Sequence, residues 1–323
     1  MPPLKIIYIG GWGRSGSSLL ANVLGSYAQL ASVGELRYLW DRGLIENKRC
    51  GCGQPFRDCD FWPAALADAG LPAAAGAAAR FAARVGSRAT LAQIRALLTG
   101  SIEHYQRRHA GEIARLRALY LAAARRAGVD TLVDASKTPP YVINLLGQPG
   151  VELCFLHLLR DPRAVAWSWS RRRASGEADD DYLPRYSAFK CALYWNAFNL
   201  FALAFRKRPG VRYLRLRYED FARAPRASVE RILREFGCAP DGLDWEGPRS
   251  LEVQPQHSIS GNPSRFRTGT VTIRADEEWR NRLPAARRRL VTTLCAPLLP
   301  VFGYPLRHVT APLAAEAADE ARH

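Results

Sequence analysis

Short, nearly uninterrupted apolar runs alternate along the chain with longer segments whose apolar residues recur at helical spacing. The apolar runs predict five strands, at residues 6–10, 31–36, 131–134, 153–159 and 213–217. The helical spacing predicts helices at residues 17–27, 162–173, 187–206 and 225–236. Strands that alternate with helices usually pair in parallel. The pattern therefore predicts an α/β, three-layer fold with a central parallel sheet and helices on both faces.

A long segment, residues 61–128, separates the second predicted strand from the third and is rich in alanine, leucine and arginine. Its helical spacing is clearest at Ile113, Leu116, Leu119, Tyr120 and Ala123. We therefore expect a helical insertion that shapes a site, within a single domain over residues 1–310. The acidic stretch 176–186 is expected to be a mobile loop, and the tail 311–323 to be disordered.

The composition is that of a soluble globular chain except for its charge. The 323 residues carry 46 lysines and arginines against 30 acidic residues, a net charge of +16. Such a charge favours polyanions, acidic small molecules or anionic membrane surfaces as partners. Arginine outnumbers lysine 41 to five, however, and alanine is abundant, which is also typical of a GC-rich coding sequence. The charge is therefore either functional or compositional, and individually placed arginines are more informative than the total.

We find no apolar run of the roughly 18 residues needed to cross a bilayer and no signal peptide, so we expect a cytoplasmic protein. Seven cysteines, an odd number, fit a reducing compartment better than a disulfide framework. Cys50, Cys52 and Cys59 cluster in CGCGQPFRDC without an obvious fourth metal ligand, and no histidine lies nearby in sequence. Packing of a glycine-rich turn is the favoured interpretation, with a metal site or a disulfide as alternatives.

The first stretch with recognisable chemistry is IIYIGGWGRSGSSLL, in which a strand leads through a glycine-rich turn into a helix. This layout is typical of a phosphate-binding loop and makes the predicted fold P-loop-type. The lysine of a nucleotide triphosphatase is replaced by Ser17, whereas Arg14 lies within the turn and offers a charged fork for phosphate oxygens. The predicted anion-binding residues are Gly13, Arg14, Ser15, Gly16, Ser17 and Ser18. The alternative is a plain glycine–serine turn.

A second candidate lies in LHLLRDPRAVAWSWSRRR, residues 156–173. A buried strand ends at Arg160, and the helix that follows is predicted to carry Ser168 and Arg172. These three residues are expected to enclose a second phosphate, remote from the first. The motif is weak on its own, because Asp161 is also an ordinary helix cap.

Together the two segments resemble a known family. GRSGSSLL is similar to the 5′-phosphosulfate loop, and LRDPRAVAWSWSRRR to the 3′-phosphate segment, of sulfotransferases that use 3′-phosphoadenosine 5′-phosphosulfate (PAPS). GELRYLW, VDASKTP, LRYEDF and HSISGNPSRFRTG also resemble the tyrosylprotein and carbohydrate members, so the resemblance covers most of the chain. It implies a bacterial-type enzyme that transfers a sulfuryl group from PAPS to a hydroxyl or amine, releases adenosine 3′,5′-bisphosphate (PAP) and needs no metal. It also explains the missing lysine, because this donor has no triphosphate.

The resemblance assigns the chemistry to residues at strand ends. Glu35, at the end of the second strand, matches the catalytic glutamate of the tyrosylprotein enzymes and is assigned as the general base. Lys137, after the third strand, matches a lysine that stabilises the transferring sulfuryl oxygens, and Arg14 is the third predicted catalytic residue. Arg37, two residues beyond Glu35, is expected to orient Glu35 or an acidic acceptor. A surface glutamate and a solvated loop lysine are the alternatives.

Later positions complete the predicted nucleotide site. Tyr218 resembles the family tyrosine near the nucleotide. HSISGNPSRFRTG looks like the loop that folds over the nucleotide, and it offers Arg265 and either Ser258 or Ser260 to the donor without indicating which serine. His257, in the same loop, is a candidate substrate contact and an alternative base, as histidine has that role in the cytosolic sulfotransferases.

Two other classes of protein compete with a sulfotransferase: a P-loop kinase or NTPase, and a non-enzymatic basic binding module. Ser17 and the lack of an obvious Mg²⁺-binding acidic pair oppose the first. The second needs basic residues interleaved with exposed aromatic residues on one surface, whereas the informative arginines fall in sheet-edge loops. We expect a small-molecule, glycan, lipid or natural-product acceptor, no nucleic acid and no transmembrane segment. Peripheral membrane contact, the acceptor's identity and the oligomeric state stay open.

Overall fold

The computed structural model of the protein describes residues 2–71, 76, 79–81, 83, 90–176, 182–240 and 242–306. Its centre is a five-stranded sheet in which every neighbouring pair is parallel, as predicted. The strands are β1 (Leu4–Gly10), β2 (Leu30–Gly34), β3 (Thr131–Lys137), β4 (Val151–Leu159) and β5 (Val211–Arg217). Their order across the sheet is β2-β3-β1-β4-β5.

The central strands are apolar on both faces because helices cover both faces. In β1, Ile6 packs into the core on one side of the sheet and Ile7 into the core on the other, and both are fully buried. All carboxyl ends of a parallel sheet meet at one edge, where α/β proteins bind their ligands. The residues that follow β1, β2, β3 and β4 therefore come together at that edge.

Eleven α-helices have defined bounds within the part of the chain that the structure describes. They are α1 (Ser17–Leu24), α2 (Trp62–Asp68), α3 (Leu91–Thr99), α4 (Ile102–Arg108), α5 (Ala110–Ala127), α6 (Pro162–Ser170), α7 (Ala188–Leu203), α8 (Tyr218–Arg223), α9 (Pro225–Glu235), α10 (Trp279–Arg282) and α11 (Ala285–Cys295). Helices α2 to α5 lie between β2 and β3, so the segment 61–128 is helical over most of its described length, as predicted.

Several predicted boundaries differ from the observed ones, and three of them affect the site. β3 continues to Lys137, so Lys137 ends that strand rather than following it. β2 ends at Gly34, whose φ of +68° turns the chain out of the sheet, so Glu35 follows the strand and precedes a short 3₁₀ helix. α6 ends at Ser170, and Arg171 is already extended, so Arg172 does not lie on that helix. Apolar periodicity indicates which face of a helix is buried but not the residue at which the helix ends.

The structure also contains a small antiparallel sheet that was not predicted. Its strands are β6 (Trp245–Glu246), β7 (Ser250–Val253) and β8 (Gly269–Thr272). The chain between β7 and β8 returns to the main sheet, where the Ile259 N–H donates to the Val33 carbonyl at 2.9 Å and the Glu35 N–H donates to the Ile259 carbonyl at 2.6 Å. We call residues 257–266 the lid segment, because they cover the carboxyl edge of the main sheet.

Residues 177–181 of the acidic stretch predicted as a mobile loop, and the whole tail 311–323, lie outside the described residues. Within the described ranges, no helix is both long enough and apolar enough to span a membrane.

Candidate active site

The glycine-rich turn between β1 and α1 has the backbone of an anion-binding loop. Gly16, at the start of α1, has a φ of +87°, in the left-handed region that favours glycine. A Cβ atom at Gly16 would lie 2.6 Å from the Tyr218 ring, and one at Gly13 would lie 2.8 Å from the Trp169 ring. The two aromatic rings therefore close on the turn and fix its path.

The start of α1 is lined by hydroxyls and faces the lid segment. No side chain caps the helix at Gly16, and Ser15, Ser17 and Ser18 are buried around its first turn. The Ser18 Oγ accepts a hydrogen bond from the Asn262 N–H at 3.1 Å, and the Arg14 Nη1 donates to the Asn262 Oδ1 at 2.9 Å. Backbone N–H groups, hydroxyls and a guanidinium thus converge where the helix dipole favours an anion.

Glu35 and Lys137 form a buried ion pair at the ends of the neighbouring strands β2 and β3. The Glu35 Oε1 accepts a hydrogen bond from the Lys137 Nζ. Lys137 has a φ of +63°, an uncommon conformation for a residue other than glycine that is often found at functional sites. A Cβ atom at Gly261 of the lid segment would lie 3.5 Å from the Glu35 Oε1, so the lid segment covers this pair.

The charges around Glu35 decide its ionisation. Burial alone would raise the pKa of Glu35. The nearby cations Lys137, Arg37 and Arg42 together lower it by more than burial raises it, so the pKa lies below its ordinary value. The pKa of Lys137 is lowered as well. Burial is the main cause, the positive charges of Arg37 and Arg14 add to it, and the negative charge of Glu35 opposes it. Glu35 is therefore an ionised carboxylate at neutral pH within a cluster of four cationic side chains.

A hydrogen-bond network behind the pair positions it. The Asp134 Oδ1 accepts from the Ser136 N–H at 2.8 Å, and the Asp134 Oδ2 accepts from the Tyr120 hydroxyl at 2.5 Å. The Ser136 Oγ accepts from the Arg37 N–H at 3.2 Å, so the end of β3 is tied to the chain that follows Glu35. Burial raises the pKa of Asp134 to about 6. These contacts hold the end of β3 against the chain that follows Glu35.

Arg160, at the end of β4, connects the second predicted anion site to the first. It is 6% exposed, and its Nη1 donates to the Arg14 carbonyl at 3.1 Å. Its Nη2 lies 3.1 Å from the Asp276 Oδ2, and its guanidinium lies 4.4 Å from the centre of the Tyr218 ring. The two predicted anion sites are therefore adjoining rather than remote, and the carboxylate of Asp276 lies against the cation predicted to hold a phosphate.

The other two residues of the second predicted site, Ser168 and Arg172, do not lie together. Ser168 is buried on α6, whereas Arg172 is exposed beyond the end of that helix and stacks 3.7 Å from the Tyr182 ring centre. Arg171 instead turns inwards, with its Nη2 3.8 Å from the Asp276 Oδ2. Arg171, rather than Arg172, therefore shares the Asp276 carboxylate with Arg160.

The two candidate serines of the lid segment face different surroundings. The Ser260 Oγ accepts from the Arg42 Nη1 at 2.6 Å, next to the cations around Glu35. The Ser258 Oγ is buried with no hydrogen-bond partner among the described residues, and a Cβ atom at Gly51 would collide with it. Arg265 is buried and donates to the Ser258 carbonyl at 3.4 Å. Ser260 is therefore the serine that lies near the Glu35 cluster.

His257 does not join the Glu35–Lys137 pair in this structure. Its ring stacks on Phe61 with 4.7 Å between ring centres, and its Nδ1 lies 3.4 Å from the Cys59 Sγ and 3.9 Å from the Cys50 Sγ. Its role as a substrate contact or alternative base stays a prediction, and in this structure its ring lies beside the cysteines. The contact between His257 and Cys59 was not predictable from local sequence, because Cys59 lies 198 residues before His257.

Four residues that contact the predicted site residues were not predicted from the sequence, namely Arg42, Arg171, Asn262 and Asp276. Asn262 lies within the quoted motif HSISGNPSRFRTG and was the easiest to find. Arg42 and Asp276 carry no local signal, because only the fold brings them to Ser260 and Arg160.

A parallel sheet with a glycine-rich turn after β1 and a buried carboxylate–ammonium pair at adjacent strand ends is suited to group transfer with an anionic ligand. Residues 7–241 match the profile of the Sulfotransferase family, which covers well over half of the chain. The chain therefore belongs to the sulfotransferase family.

Individual relatives agree with this assignment. Carbohydrate sulfotransferase 3 of Tetronarce californica is 27% identical over 188 residues, which are 52% of this chain and 40% of the relative. The Homo sapiens protein of the same name is 27% identical over 183 residues, 52% of this chain and 37% of the relative. The match thus spans less than half the length of these relatives. Among solved structures, the sulfotransferase domain from the curacin biosynthetic pathway shares the fold, with a TM-score of 0.51, 17% identity, and coverage of 95% of this chain and 99% of that one.

Proposed function

We propose that this protein transfers a sulfuryl group from PAPS to a hydroxyl, or an amine, of an acceptor molecule and releases PAP. The observation that carries the proposal is the buried Glu35–Lys137 pair, which lies beside the anion-binding turn and under the lid segment. In this pair a proton acceptor, Glu35, lies beside a cation, Lys137, at the position where the sulfuryl group of the donor is expected.

The donor's phosphates fit the two adjoining cationic sites. The turn from Gly13 to Ser18, with Arg14, is suited to the 5′-phosphosulfate, because its N–H groups and hydroxyls surround the start of α1. Arg160 is suited to the 3′-phosphate. Its Nε is buried without a partner among the described residues, and the Asp276 carboxylate occupies the position of an anion beside it. Donor binding then requires the 3′-phosphate to take the place of the Asp276 carboxylate.

In the proposed reaction the acceptor oxygen attacks sulfur while the bond between sulfur and the bridging phosphate oxygen breaks. Glu35 receives the acceptor's proton, and its lowered pKa keeps it ionised and able to do so at neutral pH. Lys137 and Arg14 stabilise the negative charge that grows on the sulfuryl and leaving phosphate oxygens. The leaving electron pair remains on the 5′-phosphate of PAP, so no metal is required for the balance of the reaction.

The acceptor class follows from chemistry near Glu35 and from the relatives. The relatives' names specify carbohydrates, which favours a sugar hydroxyl. Arg37 and Arg42, both partly exposed beside Glu35, favour an acceptor that already carries a negative charge. We therefore propose an anionic, hydroxyl-bearing acceptor, with carbohydrates as the first class to test.

Thermal-shift measurements separate this proposal from a kinase or NTPase and from a nucleic-acid binder. PAP should raise the melting temperature at micromolar concentration, because a ligand that binds only the folded state stabilises it. ATP with Mg²⁺ and a single-stranded oligonucleotide are the comparison ligands. A shift with ATP–Mg²⁺ or the oligonucleotide, but none with PAP, would reject the proposal.

A further inference from the structure

The fold brings together four potential metal ligands that are widely separated in sequence. The thiol sulfurs of Cys50, Cys52 and Cys59 and a ring nitrogen of His257 all lie within 4.8 Å of one another. Cys52 and Cys59 have their sulfurs 3.8 Å apart, and the His257 Nδ1 lies 3.4 Å from the Cys59 Sγ and 3.9 Å from the Cys50 Sγ. The three cysteines lie close together in sequence, and the fourth ligand, His257, comes from the lid segment.

These distances match a tetrahedral zinc site. With Zn–S bonds of about 2.3 Å and a Zn–N bond of about 2.0 Å, tetrahedral angles place sulfur atoms about 3.8 Å apart and sulfur about 3.5 Å from nitrogen. The three measured separations fall within about 0.4 Å of these values. A disulfide between Cys52 and Cys59 requires the sulfurs to be about 2.05 Å apart, far closer than they are.

The ligand atoms are also held in place by the surrounding chain. The Cys50 N–H donates to the Gln54 carbonyl at 2.8 Å, and the Gly53 N–H donates to the Cys50 carbonyl at 2.9 Å. The His257 ring stacks on Phe61, and the His257 carbonyl accepts from the Trp62 Nε1 at 2.8 Å. Contacts of this kind, from groups next to the ligands, fix ligand orientation at metal sites.

We propose that Cys50, Cys52, Cys59 and His257 bind one structural Zn²⁺ ion. The three thiols bind as thiolates and release their protons to solvent, and His257 binds as a neutral imidazole through Nδ1. Three sulfur ligands and one nitrogen ligand fill the tetrahedron and leave no open position for substrate. This ligand set is that of a closed, structural zinc site rather than a catalytic one.

The zinc ion joins the lid segment to the turn that carries the cysteines. His257 is the first residue of the lid segment, and the Gly51 N–H donates to the Ser258 carbonyl at 2.9 Å. Two residues later, Ile259 pairs with β2, and Gly261 lies against Glu35 and Ser18. Zinc binding therefore fixes the end of the lid segment that leads directly to the active site. Only this link to donor binding rests on the proposed sulfotransferase function, whereas metal binding does not.

Metal content is the direct test. The chain is purified without a polyhistidine tag or chelating column, and its metals are measured by inductively coupled plasma mass spectrometry. We expect about one zinc per chain in the wild type. Cys59→Ser should lose most of the zinc, whereas Cys238→Ser, which changes another buried cysteine outside the cluster, should retain it. Wild-type protein without zinc, or a Cys52–Cys59 disulfide found by peptide mass spectrometry, would overturn the proposal.

A second pair of variants does not depend on Cys59→Ser being folded. His257→Cys replaces one zinc ligand with another and should retain zinc, whereas His257→Ala should lower zinc affinity. Replacement of zinc by Co²⁺ in the wild type should give the intense visible absorption of tetrahedral cobalt with thiolate ligands. Equal zinc content in His257→Ala and the wild type, or an octahedral cobalt spectrum, would contradict the assignment of His257 as a ligand.

Calorimetry with PAP tests the link to the lid segment separately. If the lid segment adopts its binding position one tenth of the time without zinc, the apparent Kd for PAP rises by about tenfold in chelator-treated protein. Restored zinc should restore the affinity. Zinc-bound protein that fails to bind PAP would reject the proposed function but not the metal site. Unchanged PAP affinity after zinc removal would reject the link alone.

Discussion

The ion pair between Glu35 and Lys137 can be tested by removing one partner at a time. Lys137→Met keeps most of the side-chain volume but removes the ammonium group, and it leaves the Glu35 carboxylate buried without its nearest cation. Glu35→Gln is the reciprocal change, and the double variant removes both charges. In the wild type the Glu35 and Lys137 side chains are only 9% and 15% exposed, so the pair belongs to the buried class.

The size of the effect follows from this burial. Removal of one partner of a buried pair costs about 3–5 kcal/mol of unfolding free energy, because it leaves an uncompensated charge. We expect Lys137→Met to lie near the lower end, about 3 kcal/mol, since Arg37 and Arg42 still face Glu35. The double variant should cost clearly less than the sum of the two single effects, with a coupling free energy of about 2 kcal/mol or more.

The pH dependence has a definite sign. The pKa of Glu35 is lowered in the folded protein, so its stabilising contribution is complete above the unfolded pKa and is lost as the pH falls through the folded pKa. In Lys137→Met the main cause of that lowering is gone, and burial raises the pKa of Glu35. The stability deficit of Lys137→Met relative to the wild type should therefore narrow as the pH falls.

Urea denaturation of the wild type, both single variants and the double variant at pH 7 and pH 4.5 measures these quantities. Strictly additive single effects, with a coupling below about 0.5 kcal/mol, would refute the claim that the two side chains form a buried pair.

Three further predictions address the donor site and the core. Arg160→Ala should weaken PAP binding by about 10- to 150-fold, the value of a charged hydrogen bond, but leave the binding of adenosine 5′-phosphosulfate nearly unaffected. If calorimetry shows that both ligands lose affinity equally, Arg160 does not bind the 3′-phosphate. Gly16→Val should abolish PAP binding, whereas Ser17→Ala should weaken it only several-fold, because a Cβ at Gly16 meets the Tyr218 ring and its φ is +87°; similar losses in both would show that the turn is not packed as described. Burial lowers the pKa of His157 to about 4, so its contribution to the free energy of unfolding is fully present above pH 6.5 and falls by about 2 kcal/mol by pH 5. His157→Gln should remove this decline. A variant whose free energy of unfolding, measured in urea, falls with pH as in the wild type would contradict the prediction.

The parallel sheet and the placement of Glu35 were predictable because local signals determine them. Each buried strand is a short apolar run, and the carboxyl ends of parallel strands share one edge of the sheet. Glu35 follows β2 and Lys137 ends β3, and these strands are neighbours, so the proximity of the two side chains follows from the order of the strands. The glycine-rich turn was equally clear, because strand, turn and helix start are consecutive in sequence.

The second half of the site was less predictable because it depends on contacts between distant segments. The end of α6 decides whether Arg171 or Arg172 faces Arg160, and apolar periodicity does not determine a helix end. Asp276 reaches Arg160 from 116 residues further along the chain. His257 meets the cysteines only because the lid segment pairs with the edge strand β2. No spacing rule within the sequence contains that information.

Sulfuryl transfer at saturating PAPS tests the central claim most directly. Radiolabelled PAPS is incubated with the enzyme and a panel of acceptors that includes anionic and neutral carbohydrates, phenols and peptides, and the best acceptor is then used in single-turnover experiments. We expect label to pass from PAPS to an acceptor in the wild type. Glu35→Gln should slow that step by about 10²–10⁴-fold while PAP affinity stays within a few-fold of the wild type, because only proton acceptance is lost. Single-turnover transfer by Glu35→Gln at the wild-type rate would contradict the assignment of Glu35 as the base, and failure of the wild type both to bind PAP and to transfer label would contradict the proposed function itself.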